Sequence, residues 1–186
     1  MSTTTEIRHA LPTGTWQLDP VHSSIGFEIE YMVGAFRGQF RDVEAILSVD
    51  GGEAHLTGAA RVASVDVKDE NLAAHLASPE FFDAERYPEL RFVSTEVTGG
   101  EELTVRGEIT IKGVTRPVEL TGRATEPITD AHGRERIGLT LSTTLDRTAF
   151  GLNWNLPLPS GEPALANEVS IIAELQFVKP GAETSA

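Results

Sequence analysis

The chain has 186 residues, 40% of them apolar and 23% charged, with a formal net charge of −13 and no cysteine. That length and balance fit one globular domain with a substantial core and argue against disorder. So acidic a surface repels phosphate backbones and anionic membranes, which disfavours nucleic acid and stable membrane binding, and the missing cysteines remove disulfides, zinc–thiolate sites and cysteine nucleophiles.

Residues 1–13 read as a flexible polar arm, with Thr3, Thr4, Thr5, Glu6, Arg8 and His9 interrupting any apolar stretch. No secretory signal is expected there, and no apolar run is long enough to span a bilayer, so a cytoplasmic protein is expected. From residue 14 the dominant pattern is period-two alternation, the mark of strands with one buried face. Ile25, Phe27, Ile29 and Tyr31 alternate with Gly26, Glu28 and Glu30, and Phe36, Gly38 and Phe40 alternate with Arg37, Gln39 and Arg41. The phase slips by one before Val43, Ala45, Leu47 and Val49, which predicts a β-bulge near Arg41–Asp42. Asp50-Gly51-Gly52 predicts a hairpin turn before the strand of Leu56, Gly58, Ala60 and Val62.

Residues 68–87 break the β pattern. Asp69 is placed to cap a short helix with Leu72, Leu76 and Ala73 inward, and Ser78-Pro79-Glu80 reads as a second helix start. Phe81, Phe82 and Tyr87 add apolar weight, so this insertion either lids one mouth of a barrel or only packs its end. Alternation resumes from Leu90 to a stop at Gly99-Gly100, then over Leu103–Ile111, a tight turn at Lys112-Gly113-Val114-Thr115, and Val118–Ala124. It continues after a polar loop at 129–136 over Ile137–Leu145 and finally Val169–Phe177. The proline-rich segment 155–166 reads as a mobile apolar loop, and residues 180–186 as a disordered tail. About eight strands on short turns predict an all-β barrel or sandwich, with residues 14–179 as its single domain. Glycines at inward positions (Gly38, Gly58, Gly107, Gly122) suit barrel bends, close approach of another group, or a cavity.

Little in the sequence points to catalysis or a metal. The histidines are scattered without ligand spacing, and no nucleophile elbow, phosphate loop or dinucleotide fingerprint is present. Asp146-Arg147 either forms a rim ion pair or offers Arg147 to an anionic ligand headgroup.

Four stretches together resemble the YceI-like family of polyisoprenoid-binding proteins. They are Trp16-Gln17-Leu18-Asp19 with His22-Ser23-Ser24-Ile25-Gly26-Phe27 and Arg37-Gly38-Gln39-Phe40; Ser64-Val65-Asp66, His75-Leu76, Phe81-Phe82-Asp83 and Tyr87-Pro88; Ile109 to Val118; and Asp146-Arg147-Thr148-Ala149-Phe150-Gly151. The resemblance implies a lipocalin-like, extended eight-stranded antiparallel β-barrel with a short helical insertion. It also implies a long isoprenoid or other lipid held in the barrel as the ligand, and a homodimer. Tyr31-Met32 stands where members often carry a histidine, which implies a different contact to the ligand head. No catalytic residue, metal or cofactor other than a bound lipid is expected. Phe27, Ile29, Tyr31, Phe36, Phe40, Phe92, Ile109 and Leu141 are the candidate tunnel walls. His75, Leu76, Phe81 and Phe82 would cover one mouth, Phe150 and Trp154 would lie near another, and Arg147 is the candidate head contact. Two rival readings stay open: an enzyme using His75 and a carboxylate on an apolar substrate, and a filled barrel that docks a partner through 155–166.

Overall fold

The structure is a computed structural model and describes residues 11–99 and 102–180. Its strands are β1 (Gly14–Leu18), β2 (Ser24–Tyr31), β3 (Gly34–Phe40), β4 (Val43–Asp50), β5 (Glu53–Arg61), β6 (Val65–Asp66), β7 (Glu89–Thr98), β8 (Leu103–Ile111), β9 (Val114–Ala124), β10 (Ile128–Thr129), β11 (Glu135–Asp146) and β12 (Leu165–Val178). One α-helix, α1 (Glu70–Ala77), precedes β7.

Eight of these strands close a ring through antiparallel pairs, in the order β1-β4-β5-β7-β8-β9-β11-β12 and back to β1. The chain is therefore a closed eight-stranded antiparallel barrel, which leaves no open edge in the ring itself. β2 lies on the same edge of β12 as β1, beyond a break at Asp19–Ser23, and carries β3 and β6 outward as a wing. The ring thus includes the short β1, which alternation alone does not reveal, and leaves out β2 and β3, which alternate clearly.

Two turns follow the sequence closely. Gly51 and Gly52 join β4 to β5, and Lys112 and Gly113 join β8 to β9, all four at positive φ, while Val114 and Thr115, expected in the second turn, already pair in β9. Two-residue turns of this kind match the twist of the strands they connect. The phase slip at Arg41–Asp42 is not a bulge. It is the corner where the chain leaves the wing, in which β3 pairs with β2 and β6, for the ring, in which β4 pairs with β1 and β5. Register shifts occur instead between Ser94 and Glu96 on β7 and between Leu165 and Val169 on β12.

The cap at Asp69 forms as expected, its carboxylate accepting from the backbone N–H groups of Asn71 and Leu72. Leu76 is buried, and Leu72 and Ala73 pack beside it. The second helix does not form. Ser78 closes α1, and residues 79–86 run as consecutive turns in which Phe82 N–H donates back to Leu76 and Ala84 N–H to Ala77. The expected arm and tail fall mostly on 1–10 and 181–186, outside the described residues. Within them, Leu11 packs on the core and the Pro12 carbonyl accepts from Trp16 Nε1.

The inward faces divide lengthwise. At the base, Trp16, Leu47, Leu103, Val105, Ile137, Leu139 and Phe177 fill the bore, with Trp16 and Phe177 both 0% exposed. An ion-pair chain fastens the wall there: Arg136 donates to Asp19 at 2.9 Å and to Asp130 at 2.8 Å. Hydrogen bonds from Arg136 and His22 lower Asp19 to about 2. Asp130 is held still further below the carboxylate range, chiefly by the Arg136 side chain. At the opposite end, α1 and its turns fill the gap between the wing and the ring, packing on Ile29, Phe40, Val43, Ala60 and Val65.

Candidate functional site: an apolar cavity under a helical lid

Above the packed base the barrel contains a cavity of about 490 Å³, within the range of roughly 300–1,000 Å³ typical of ligand sites. Its walls come from inward positions of nearly every strand, because period-two alternation sends the same apolar set inward along each one. Leu56, Leu120 and Leu175 line its deep part, while Tyr31, Phe36, His75 and Trp154 line its upper part.

The inward glycines do different jobs. A Cβ on Gly122 would lie 1.7 Å from the Thr140 carbonyl oxygen, and one on Gly107 would lie 2.4 Å from that of Val93, so both permit close backbone approach. A Cβ on Gly38 would strike the Phe27 ring at 2.5 Å. Gly58 alone of the four faces room: a Cβ there would meet nothing nearer than 3.5 Å. Its cross-strand partner is Ala45, so two small residues stand opposite each other where the bore opens out.

Aromatic rings line the upper half. Phe27 lies 5.9 Å from Phe36 and 5.8 Å from Phe40, and Phe40 meets Phe82 edge-on at 5.9 Å between centroids. His75 stands edge-on to both Phe81 (5.0 Å) and Trp154 (4.8 Å), and Phe81 lies 5.4 Å from Trp154. The imidazole Nε2 is 2.5 Å from Glu80 Oε2 at the surface. Trp154 therefore packs directly on the lid, and Phe150 clusters with Leu152, Ile111 and the partly buried Phe82. The expectation of two separate mouths is corrected: lid and Trp154 form one covered mouth, because the 3-10 turn Arg147–Phe150 and the segment after it fold back toward α1.

Arg147 is 4% exposed, the one buried cation among the described residues. Its Nε donates to the Ala166 carbonyl at 2.8 Å, and Nη1 donates to those of Leu152 (2.6 Å) and Trp154 (2.8 Å). Its Nη2 has no hydrogen-bond partner. Desolvation pushes the guanidinium below its ordinary pKa, opposed by the nearby charge of Asp146. The expected rim ion pair is absent: the Asp146 carboxylate accepts from Thr148 N–H and Oγ1, capping the 3-10 turn. Arg147 instead pins the 152–166 segment, which is also held by Asn155 bonding both backbone groups of Leu165. That segment is a hairpin-like arm with a bridge between Pro157 and Pro163.

All fifteen residues expected at the site line this one cavity: Phe27, Ile29, Tyr31, Phe36, Phe40, His75, Leu76, Phe81, Phe82, Phe92, Ile109, Leu141, Arg147, Phe150 and Trp154. Sequence reasoning passed over Ile25, Leu90, Ile111, Val118, Leu145, Val169 and Ile171, which also line it. Ile25, Leu90, Ile111 and Leu145 share the alternation phase of a chosen residue on the same strand, so extending that phase would have found them; Val118, Val169 and Ile171 lie on β9 and β12, where the alternation was read but no wall residue was chosen. Leu152 and Leu165 carry no such signal, since they reach the cavity through the 151–166 segment and the bulged start of β12. Among the described residues, no three histidine, aspartate or glutamate side chains converge as a metal site, and no helix is long and apolar enough to cross a membrane.

Comparison with known proteins agrees with this geometry. The model of the YceI-like domain matches residues 16–177. A UPF0312 protein of Staphylococcus epidermidis is 31% identical over 172 residues, covering 87% of this chain and 96% of its own. A UPF0312 protein of Pseudomonas putida is 33% identical over 141 residues, covering 70% and 71%. Among solved structures, Burkholderia cenocepacia BcnA superposes with a TM-score of 0.70 at 23% identity, covering 86% of this chain and 98% of its own. A polyisoprenoid binding domain from Saccharophagus degradans, implicated in plant cell wall breakdown, gives 0.67 at 13% identity, covering 89% and 98%. The four sequence stretches, the closed barrel and the family match lead to one conclusion: this chain belongs to the YceI-like family.

Proposed function

We propose that the protein binds a long apolar lipid, of the polyisoprenoid or isoprenoid-quinone type, inside the barrel and holds it for storage or transport without chemical change. The observation that carries this reading is the cavity itself: apolar on nearly all its wall, stopped by a packed base and reaching one lidded mouth. Burying about 20 methylene-sized groups yields roughly 16 kcal/mol gross, against an ordering and association cost of about 4–15 kcal/mol. A long chain therefore binds without charged contacts. The Saccharophagus degradans domain, described as polyisoprenoid binding, supports the ligand class through a shared fold.

Arg147 supports a polar head at the mouth-side end of the ligand. Its unpartnered Nη2 is costly where it lies, and a small side-chain adjustment toward the cavity would give it an oxygen acceptor. His75 turns Nε2 to the Glu80 carboxylate at the surface, and the apolar wall supports binding over chemistry. The family resemblance supports a homodimer, and a cysteine-free chain suits a reducing cytoplasm; sedimentation and fractionation test these.

Titration with a long-chain polyprenol, followed by Trp154 emission, tests the reading. Trp16, the other tryptophan, is sealed in the base. A saturable shift at one lipid per chain, weaker for short-chain analogues, is expected. No saturable response to polyprenol, quinone or fatty acid would overturn it.

A further inference from the structure

The mouth carries a feature that lipid storage alone does not require. The β2–β3 hairpin ends in Tyr31-Met32-Val33, and Val33 is 106% exposed, with Met32 about half exposed. Beside it lies the 152–166 arm: Met32 N–H donates to the Ala164 carbonyl at 2.8 Å, and Ala164 N–H donates to that of Leu156 at 2.9 Å. Leu156 is exposed too. Tyr31, Ala164 with Leu165, and Leu156 thus form three adjacent strips of one rim. Tyr31 and Leu165 also line the cavity, so the rim is continuous with the mouth.

This rim is uncharged on a strongly acidic chain. Residues 31–36 form one run without a charged side chain and residues 148–161 another, in a sequence with 28 acidic and 15 basic residues. Glu30, Arg37, the buried Arg147 and Glu162 bound the two runs, Arg116 reaches the second at the Ala149 carbonyl, and the lid contributes Glu80 across the mouth. The acidity that keeps the rest of the surface away from anionic membranes is interrupted where apolar side chains protrude.

We propose that this rim docks the mouth on the surface of a zwitterionic lipid bilayer, so that an apolar ligand passes between membrane and cavity without crossing water. The proposal rests on the lipid-binding reading above. A bilayer suits the rim better than a protein does. A stable protein interface needs about 800 Å² on each partner, which four protruding side chains do not supply. Shallow insertion into the headgroup zone, by contrast, needs no complementary shape and scales with the apolar area presented. Tyrosine at the rim fits that zone, with an apolar ring and a polar tip. The absence of charge also predicts that docking is insensitive to salt.

The full chain is floated with phosphatidylcholine vesicles, and its fluorescence is read with doxyl-labelled phosphatidylcholine. The expected result is co-flotation unchanged by salt, quenching of Trp154 but not of Trp16, and a fall of about tenfold in vesicle-bound protein for Val33→Glu with Leu156→Glu. Neither residue lines the cavity, so polyprenol uptake by that variant from solution matches the parent. No flotation at any lipid concentration would overturn the proposal. So would binding abolished by salt, binding untouched by the double substitution, or a self-association that the double substitution removes in place of vesicle binding. A chain that floats yet takes up no polyprenol keeps the rim and overturns the cavity reading.

Discussion

The base and the mouth of this barrel are built from the same strands by the same alternation, yet one is solid and the other hollow. At the base, Trp16 and Phe177 meet Leu47, Leu139 and Val105 with no surface left to solvent or cavity. Farther up the same β4–β5 pair, Ala45 faces Gly58, and the bore opens into the cavity. Side-chain volume at paired inward positions, more than strand number, decides whether an eight-stranded barrel is filled or able to hold a ligand. The division assigns stability to the base and ligand capacity to the mouth, and substitutions at each end can break or sharpen it.

The largest expected effect is at the base. Trp16→Ala should cost about 3–5 kcal/mol of stability in urea denaturation, because the ring is enclosed on all sides. A cost below 1 kcal/mol, on the order of a surface change, would contradict a packed base. Arg147→Met comes next. It frees three carbonyls now bonded by the guanidinium, and a loss of about 2 kcal/mol is expected. It should also erase any preference for a lipid with an oxygen-rich head over the matching hydrocarbon, measured by competition.

Gly58→Leu should act in the opposite sense to Trp16→Ala. A Cβ here meets its neighbours only at ordinary contact distance and the position lines the cavity, so the fold should survive with a change within about 1 kcal/mol, while affinity for a long chain falls at least about tenfold and short chains are spared. If long-chain binding is unchanged, the ligand does not reach this part of the bore.

The smallest effect is with acid. Asp19 titrates at about 2 in the folded chain against an ordinary 3.8, chiefly through Arg136. A depressed carboxylate contributes stability that is complete above the unfolded value and fades as pH falls through the folded one. Melting temperature should therefore drop between about pH 4 and 2, and Asp19→Asn should flatten that part of the profile. The ion-pair chain sits at the base, so ligand occupancy should follow only through unfolding.

The cavity walls were partly legible in the sequence, but their division into a packed base and a hollow mouth was not. Alternation marked the inward residues of β2, β3, β7, β8 and β11, and with them the aromatic walls Phe27, Tyr31, Phe36, Phe40 and Phe92; Phe81, Phe82, Phe150 and Trp154 lie outside the strands and followed from the helical insertion and the family resemblance. The outcome at Gly58 was not legible, since the same pattern at Gly38, Gly107 and Gly122 serves ring packing and backbone approach. A phase slip such as that at Arg41–Asp42 looks alike for a bulge and for a corner between two parts of a sheet; only pairing partners distinguish them. Ser78-Pro79 has the local signature of a helix start, but its serine was already used to end α1. The state of Arg147 depends on carbonyls up to 19 residues away, a tertiary fact with no local signal.

Native mass spectrometry of the protein purified from its own source, followed by denaturing extraction and lipid identification, tests the central claim most directly. The account predicts one long apolar passenger per chain, released on denaturation and lost or shortened in Gly58→Leu. A chain that carries no lipid and takes up neither isoprenoids nor fatty acids on titration would contradict it.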